Sequence, residues 1–174
     1  IFSYEDIIMK QKILFVDMDG VINPMINIRI QKEQGNPTSA NYITLPGDKI
    51  YKLRQICERT GCLLIMSSSW RIGASRGTPS PAYMNANNQL MRYGIRFSGW
   101  TPLHPERIRG IEINWYLETF EKQFGYRPNY VILDDERHDI MDYGHKGHMV
   151  QTNSMIGLQD NHVNIAVNLL NKGV

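Results

Sequence analysis

Short apolar runs alternate with segments of helical period along most of this chain, and that alternation restricts the fold more than any other feature. Ile13 to Val16, Leu63 to Met66, Ile95 to Phe97, Tyr130 to Leu133 and Met149 to Gln151 read as strands. Asp48 caps a helix whose Ile50, Leu53 and Cys57 share a face, ended by Gly61. A weaker helix around Asn88 to Tyr93 stops at Gly94, and Ile113, Leu117, Phe120 and Phe124 define a stronger one ended by Gly125. Val163, Ala166, Val167 and Leu170 line a closing helix. Strand runs apolar on both faces, separated by helices, mean a parallel sheet covered on both sides. The expected fold is therefore α/β: a single Rossmann-like three-layer domain with a parallel sheet of about five strands and helices on both faces.

Two stretches break the rhythm, Asn23 to Leu45 and Ile72 to Ala86, and read as loops over the strand ends. They place a flap insert over 23–46 and a small cap-like insert with a short helix over 71–102, within one domain over 1–174. Hydrophobic residues at 42% and charged residues at 21% exclude a disordered, fibrous or membrane-embedded chain. The longest apolar runs fall far short of the ~20 residues a bilayer span needs, and no basic-then-apolar leader opens the chain. Cys57 and Cys62 are too few for a disulfide scaffold or a four-ligand zinc site, so a reducing, cytoplasmic setting is expected, with no membrane and no obligate protein partner in evidence. The residues ahead of Met9 read as an extension.

In an open parallel sheet the ligand sits at the carboxyl ends of the strands, so the residues following each apolar run carry the information. Those positions are Asp17-Met18-Asp19-Gly20-Val21, Ser67-Ser68-Ser69-Trp70-Arg71 and Asp134-Asp135-Glu136. Asp17, Asp19, Asp134 and Asp135 thus converge on one edge. Like charges gathered in a cleft repel unless a cation neutralises them, and an all-oxygen set suits Mg²⁺. With Asp17 and Asp19 two residues apart, one can attack phosphorus to form an acyl phosphate while the other moves protons. Gly20 permits a sharp turn that brings backbone amides to a phosphate. Ser67 offers a hydroxyl and the amides after it to the same group, its other reading being a helix N-cap; Ser68 and Arg71 follow as substrate contacts. Arg109 stands at the mouth of a helix as the cation for the phosphate, with Arg107 as its competitor.

These motifs together resemble the haloacid dehalogenase-like (HAD) phosphohydrolase superfamily, from Ile13-Leu14-Phe15-Val16-Asp17-Met18-Asp19-Gly20-Val21 to the late Asp134-Asp135 pair. The resemblance implies Asp17 as nucleophile and Mg²⁺ ligand, and Asp19 as acid/base with its backbone carbonyl on the metal. It implies Ser67 and Arg109 on the phosphate, and Asp134 and Asp135 completing the metal site. The Ser67 to Arg71 string, Arg109-Gly110-Ile111-Glu112-Ile113 and the Val150 to Leu158 segment are similar to a small-cap subgroup associated with nucleic-acid end repair.

Net charge is only +2, but it is unevenly placed. Residues 71 to 109 carry six arginines against Glu106, interleaved with Trp70, Tyr83, Tyr93, Phe97 and Trp100. That mixture suits phosphate contacts and base stacking, and equally a core with a solvated basic face. The expected substrate is a nucleic-acid end or nucleotide phosphate, a small-metabolite phosphate being the alternative. A receiver-like signalling domain would place its acidic pair first and a lysine late, and a DxD glycosyltransferase leaves Asp134-Asp135 without a role. His138, Asp139, Asp142, His145 and His148 suggest a second metal site, disfavoured because Gly144 and Gly147 make the stretch look like a surface loop, with Asp139 as a support for Asp134-Asp135.

Overall fold

A computed structural model describes residues 10–75 and 77–172, the His138 side chain excepted. The extension read ahead of Met9, and Arg76, lie outside the described residues. Five strands, β1 (Lys12–Val16), β2 (Leu63–Met66), β3 (Phe97–Trp100), β4 (Asn129–Asp134) and β5 (Met149–Gln151), form one parallel sheet in the order β3-β2-β1-β4-β5.

The strand period of two divides their side chains between two cores. Leu14, Val16, Leu64, Met66, Val131 and Leu133 face the larger one. There they join Leu53 and Ile56 of α2 (Gly47–Thr60), Ala86 and Leu90 of α3 (Pro81–Met91), and Val163 and Val167 of α6 (Asp160–Asn171). Ile13, Phe15, Ile65, Tyr130 and Ile132 face the other way, against Ile113, Leu117 and Phe120 of α4 (Arg109–Phe124) and Ile140 of α5 (His138–Met141). Each such side chain, fully buried, contributes roughly 1.5–3 kcal/mol, which is why both faces of the central strands read as apolar. Among the described residues no helix is long and apolar enough to cross a membrane.

The 23–46 stretch is not all loop, for it holds α1 (Met25–Glu33). Its inward positions are Asn27 and Gln31, while Ile26 and Ile30 are more than two-fifths exposed, so hydrophobic periodicity had nothing to register. The helix read around Asn88 begins earlier, at Pro81, where the Ser80 hydroxyl accepts from the Tyr83 amide at 3.1 Å and proline occupies the first turn. Pro46, not Asp48, holds the N-cap position of α2, and its buried stripe uses Ile56 where Cys57 is only half-buried. Strand β3 starts at Phe97 rather than Ile95, so the end of the 71–102 stretch is sheet, not insert. Phe124, expected on the buried face of α4, is 53% exposed at the helix end.

The chain runs outward from β1 through β2 to β3, then returns to lay β4 on the opposite side of β1. That reversal leaves a crevice at the carboxyl ends of β1 and β4. Val16 pairs with both Met66 and Leu133, which brings Asp17, Ser67 and Asp134 out at one level.

Candidate active site

Asp17 donates its amide to Leu133 O at 2.9 Å, so the first residue past β1 is fastened to the end of β4. Asp17 and Asp134 are buried, Asp135 half-buried, and one carboxylate oxygen from each lies within 4.8 Å of the others. Gly20 makes this grouping possible. Its φ of +78° disfavours a side chain, and a Cβ there would fall 2.3 Å from Asp135 Oδ2. Its amide, expected to approach a phosphate, instead donates to Asn23 O at 3.0 Å; its role is to make room.

Burial pushes the Asp17 carboxyl above its ordinary value. Burial, followed by the charge of Asp17, raises Asp134 to about 7, and burial also raises Asp135. Arg109 answers this charge, with Nη1 3.2 Å from Asp17 Oδ2 and hydrogen-bonded to Asp134 Oδ2. Burial works against the guanidinium charge, but the two carboxylates outweigh it and its pKa rises. Three carboxylates against one guanidinium still leave negative charge. An all-carboxylate oxygen set of this kind fits a hard divalent cation such as Mg²⁺.

Asp19 stands apart, exposed at the rim, and its carboxylate is not in the three-membered group. Asn23 Nδ2 donates to its Oδ1 at 2.8 Å and Trp70 Nε1 to its Oδ2 at 2.9 Å. Asn27 in turn donates to Asn23 Oδ1 at 2.9 Å and to Thr44 O at 2.9 Å. The polar inward face of α1 therefore orients Asp19. Sequence reasoning missed Asn23 and Asn27, although asparagines four apart just after the DxDG turn were a readable sign, and it placed Trp70 among base-stacking aromatics where the structure buries it against Asp19.

Ser67 donates its amide to Val16 O at 2.9 Å, while its buried hydroxyl has no hydrogen-bond partner; Thr101 Oγ1 shares that condition. The two residues are neighbours, since the Thr101 amide donates to Met66 O at 3.0 Å. The Ser68 hydroxyl accepts from the Trp70 amide at 3.4 Å, and its nearness favours the ionised form of Asp17. Arg71, expected to touch substrate, is instead buried and turned inward. It donates to Thr101 O at 3.0 Å, to Ser68 O and to Glu112 Oε2, joining the ends of β2 and β3 to α4.

Arg109, not Arg107, makes the ion pairs with the carboxylates. Its amide donates to Asp139 Oδ2 at 3.0 Å, so Asp139 does support the cluster, through the start of α4. His145, expected in a surface loop, is fully buried between Tyr130 Oη and Gly110 O, each 2.9 Å away. His148 stacks on Tyr130 with ring centroids 3.9 Å apart. Both imidazoles thus pin the first turn of α4 and β4 to the segment after α5. A cavity of about 540 Å³ against Phe120 and Phe124 touches none of the carboxylates.

A parallel sheet with a DxDG turn at its switch point, an adjoining aspartate pair and an arginine bridging them defines a HAD-like domain of the phosphohydrolase type. The chain belongs to the family described as the HAD domain in Swiss Army Knife RNA repair proteins, which matches residues 13–163. No curated protein matches the chain.

Proposed function

We propose that the protein is a Mg²⁺-dependent phosphomonoesterase that removes a phosphate from a nucleic-acid end or nucleotide through an aspartyl-phosphate intermediate. The observation that carries this reading is the grouping of Asp17 with Asp134, Asp135 and Arg109, with Asp19 held separately at the rim. The family description, which names RNA repair proteins, supports the substrate class. In this reading the 23–46 stretch and the 71–96 stretch ahead of β3 stand in place of a large cap within one domain, leaving room for a macromolecular end.

Asp17, Asp134, Asp135 and the Asp19 backbone carbonyl would hold Mg²⁺, which would offset the repulsion between carboxylate and phosphate dianion. An Asp17 oxygen attacks phosphorus, the ester P–O bond breaks, and Asp19 gives its proton to the leaving oxygen. Asp19, now a carboxylate, takes a proton from water as that water attacks the acyl phosphate, releasing inorganic phosphate and restoring both groups. Arg109 and the Ser67 hydroxyl hold phosphoryl oxygens through the reaction.

The test is phosphate release, with and without Mg²⁺, by wild type and Asp17→Asn. The substrates are 3′- and 5′-phosphorylated oligonucleotides, a mononucleotide and an aryl phosphate. Metal-dependent turnover that vanishes in Asp17→Asn is the expected result; undiminished turnover in that variant overturns the mechanism. Turnover confined to the small esters would keep the chemistry and replace the substrate.

A further inference from the structure

Arg107 is the competitor that the carboxylates did not take. It is the sole non-glycine residue with positive φ among those described, at +58°, a backbone state that ordinary side chains rarely adopt. Its amide is fixed to His104 O at 2.9 Å, and it enters no ion pair among the described residues. It shares with Arg109 a compartment of about 240 Å³, whose other walls include Ile72 and Leu103. These two apolar side chains are 48% and 37% exposed. The one acid at that compartment, Glu112, is already paired with Arg71, so Arg107 is its uncompensated charge.

Leu103 and Arg71 also wall a second compartment of about 270 Å³, bounded further along by Trp100, Ser75 and Thr101. Thr101, whose buried hydroxyl has no hydrogen-bond partner, is among the residues of that wall. Sharing Leu103 and Arg71, the two spaces adjoin, and a line through both joins the guanidinium that bridges Asp17 and Asp134 to Trp100. Together the two spaces offer apolar side chains, a free cation and an aromatic residue, the groups that suit the bases and phosphates of a single strand.

We propose that this line is the path of a single-stranded nucleic acid whose phosphorylated end sits at Asp17. The terminal nucleoside lies between Ile72 and Leu103, Arg107 binds the phosphodiester that follows, and the next base enters the compartment walled by Trp100. The proposal rests on the phosphomonoesterase reading of the Asp17 centre, and it makes the enzyme prefer an end at least one nucleotide longer than a mononucleotide.

The experiment measures kcat/KM for phosphorylated mono-, di- and tetranucleotides of both polarities, each divided by the value for an aryl phosphate. In wild type this ratio rises from mono- to dinucleotide. Arg107→Ala lowers the dinucleotide ratio about tenfold, the worth of one charge-assisted contact, and reduces the salt slope by roughly 0.7. Ile72→Glu, at an exposed position, lowers the same ratio by putting a carboxylate beside the strand. A ratio that does not rise with length, or that is the same in Arg107→Ala as in wild type, overturns the path while the aryl-phosphate turnover leaves the catalytic reading standing. Binding of a labelled phosphorylated tetranucleotide to Asp17→Asn, alone and combined with Arg107→Ala, tests the path without turnover. An approximately tenfold weaker Kd in the double variant supports it, and equal Kd values overturn it.

Discussion

Two arginines at the carboxyl edge of the sheet each meet buried carboxylate, and they do opposite things. Arg71 and Glu112 form a one-to-one pair with side chains only 3% exposed, and backbone carbonyls take Arg71's other contacts. Arg109, whose side chain is 21% exposed, faces Asp17 and Asp134 together, with Asp135 beside them. The first set is electrically balanced and closed, which suits a fastener. The second holds excess negative charge at an opening, which favours a bound cation, and burial above all raises its carboxyl groups. Both sets hang from the first turn of α4, so one helix carries a structural pair and a chemical one.

The contrast breaks most sharply at Asp17. Asp17→Asn is expected to lower turnover by about 10⁴-fold or more, the scale on which removed nucleophiles act. Because a repelled, desolvated charge is removed, its thermal midpoint should be no lower than that of wild type. Calorimetry beside the activity assay checks both halves. Glu112→Gln should reverse the pattern, costing about 3 kcal/mol or more in urea unfolding, since the Arg71 charge is left buried without its partner. Replacing both residues together, as Arg71→Met with Glu112→Leu, should recover most of that loss. A single variant as stable as wild type would show that the pair is no fastener.

Asn23→Ala sharpens the comparison at the rim. Asp19 loses one of its two side-chain donors, and kcat should fall about tenfold, as when a supporting hydrogen bond is removed. Steady-state kinetics with saturating substrate measure it. The smallest effect is expected at His145, whose pKa burial lowers from the ordinary 6.5. Below about pH 6.5 the unfolded chain binds a proton that folded His145 resists, so its contribution is complete above that pH and is lost as pH falls through it. His145→Gln should flatten the acid limb of a stability-against-pH curve, while costing about 1 kcal/mol at neutral pH for the altered hydrogen bonds to Tyr130 and Gly110.

The strand ends show how far local pattern reaches. Four of the strands start or end within a residue of where their apolar runs place them, because a buried parallel strand needs apolar side chains on both faces. The acidic residues just beyond are legible for the same reason, since position after a strand decides position in the crevice. At β3 the reading slips, because Gly99 and the shifted register at Leu64/Ile65 weaken its pattern. Helix α1 escapes altogether, its inward face being asparagine and glutamine.

By itself, then, the sequence determined the parallel α/β sheet, the order of its elements and the set of chemical groups at its carboxyl edge. These follow from apolar periodicity and from which residues terminate each run, both short-range properties. Only the tertiary structure decided that Arg109 rather than Arg107 meets the carboxylates, that Arg71 turns inward to Glu112, and that Asn23 and Trp70 aim Asp19. A buried polar or charged side chain takes its direction from the partner that satisfies it. Trp70 lies 51 residues from Asp19, and Glu112 lies 41 from Arg71, distances along the chain over which no local pattern carries information.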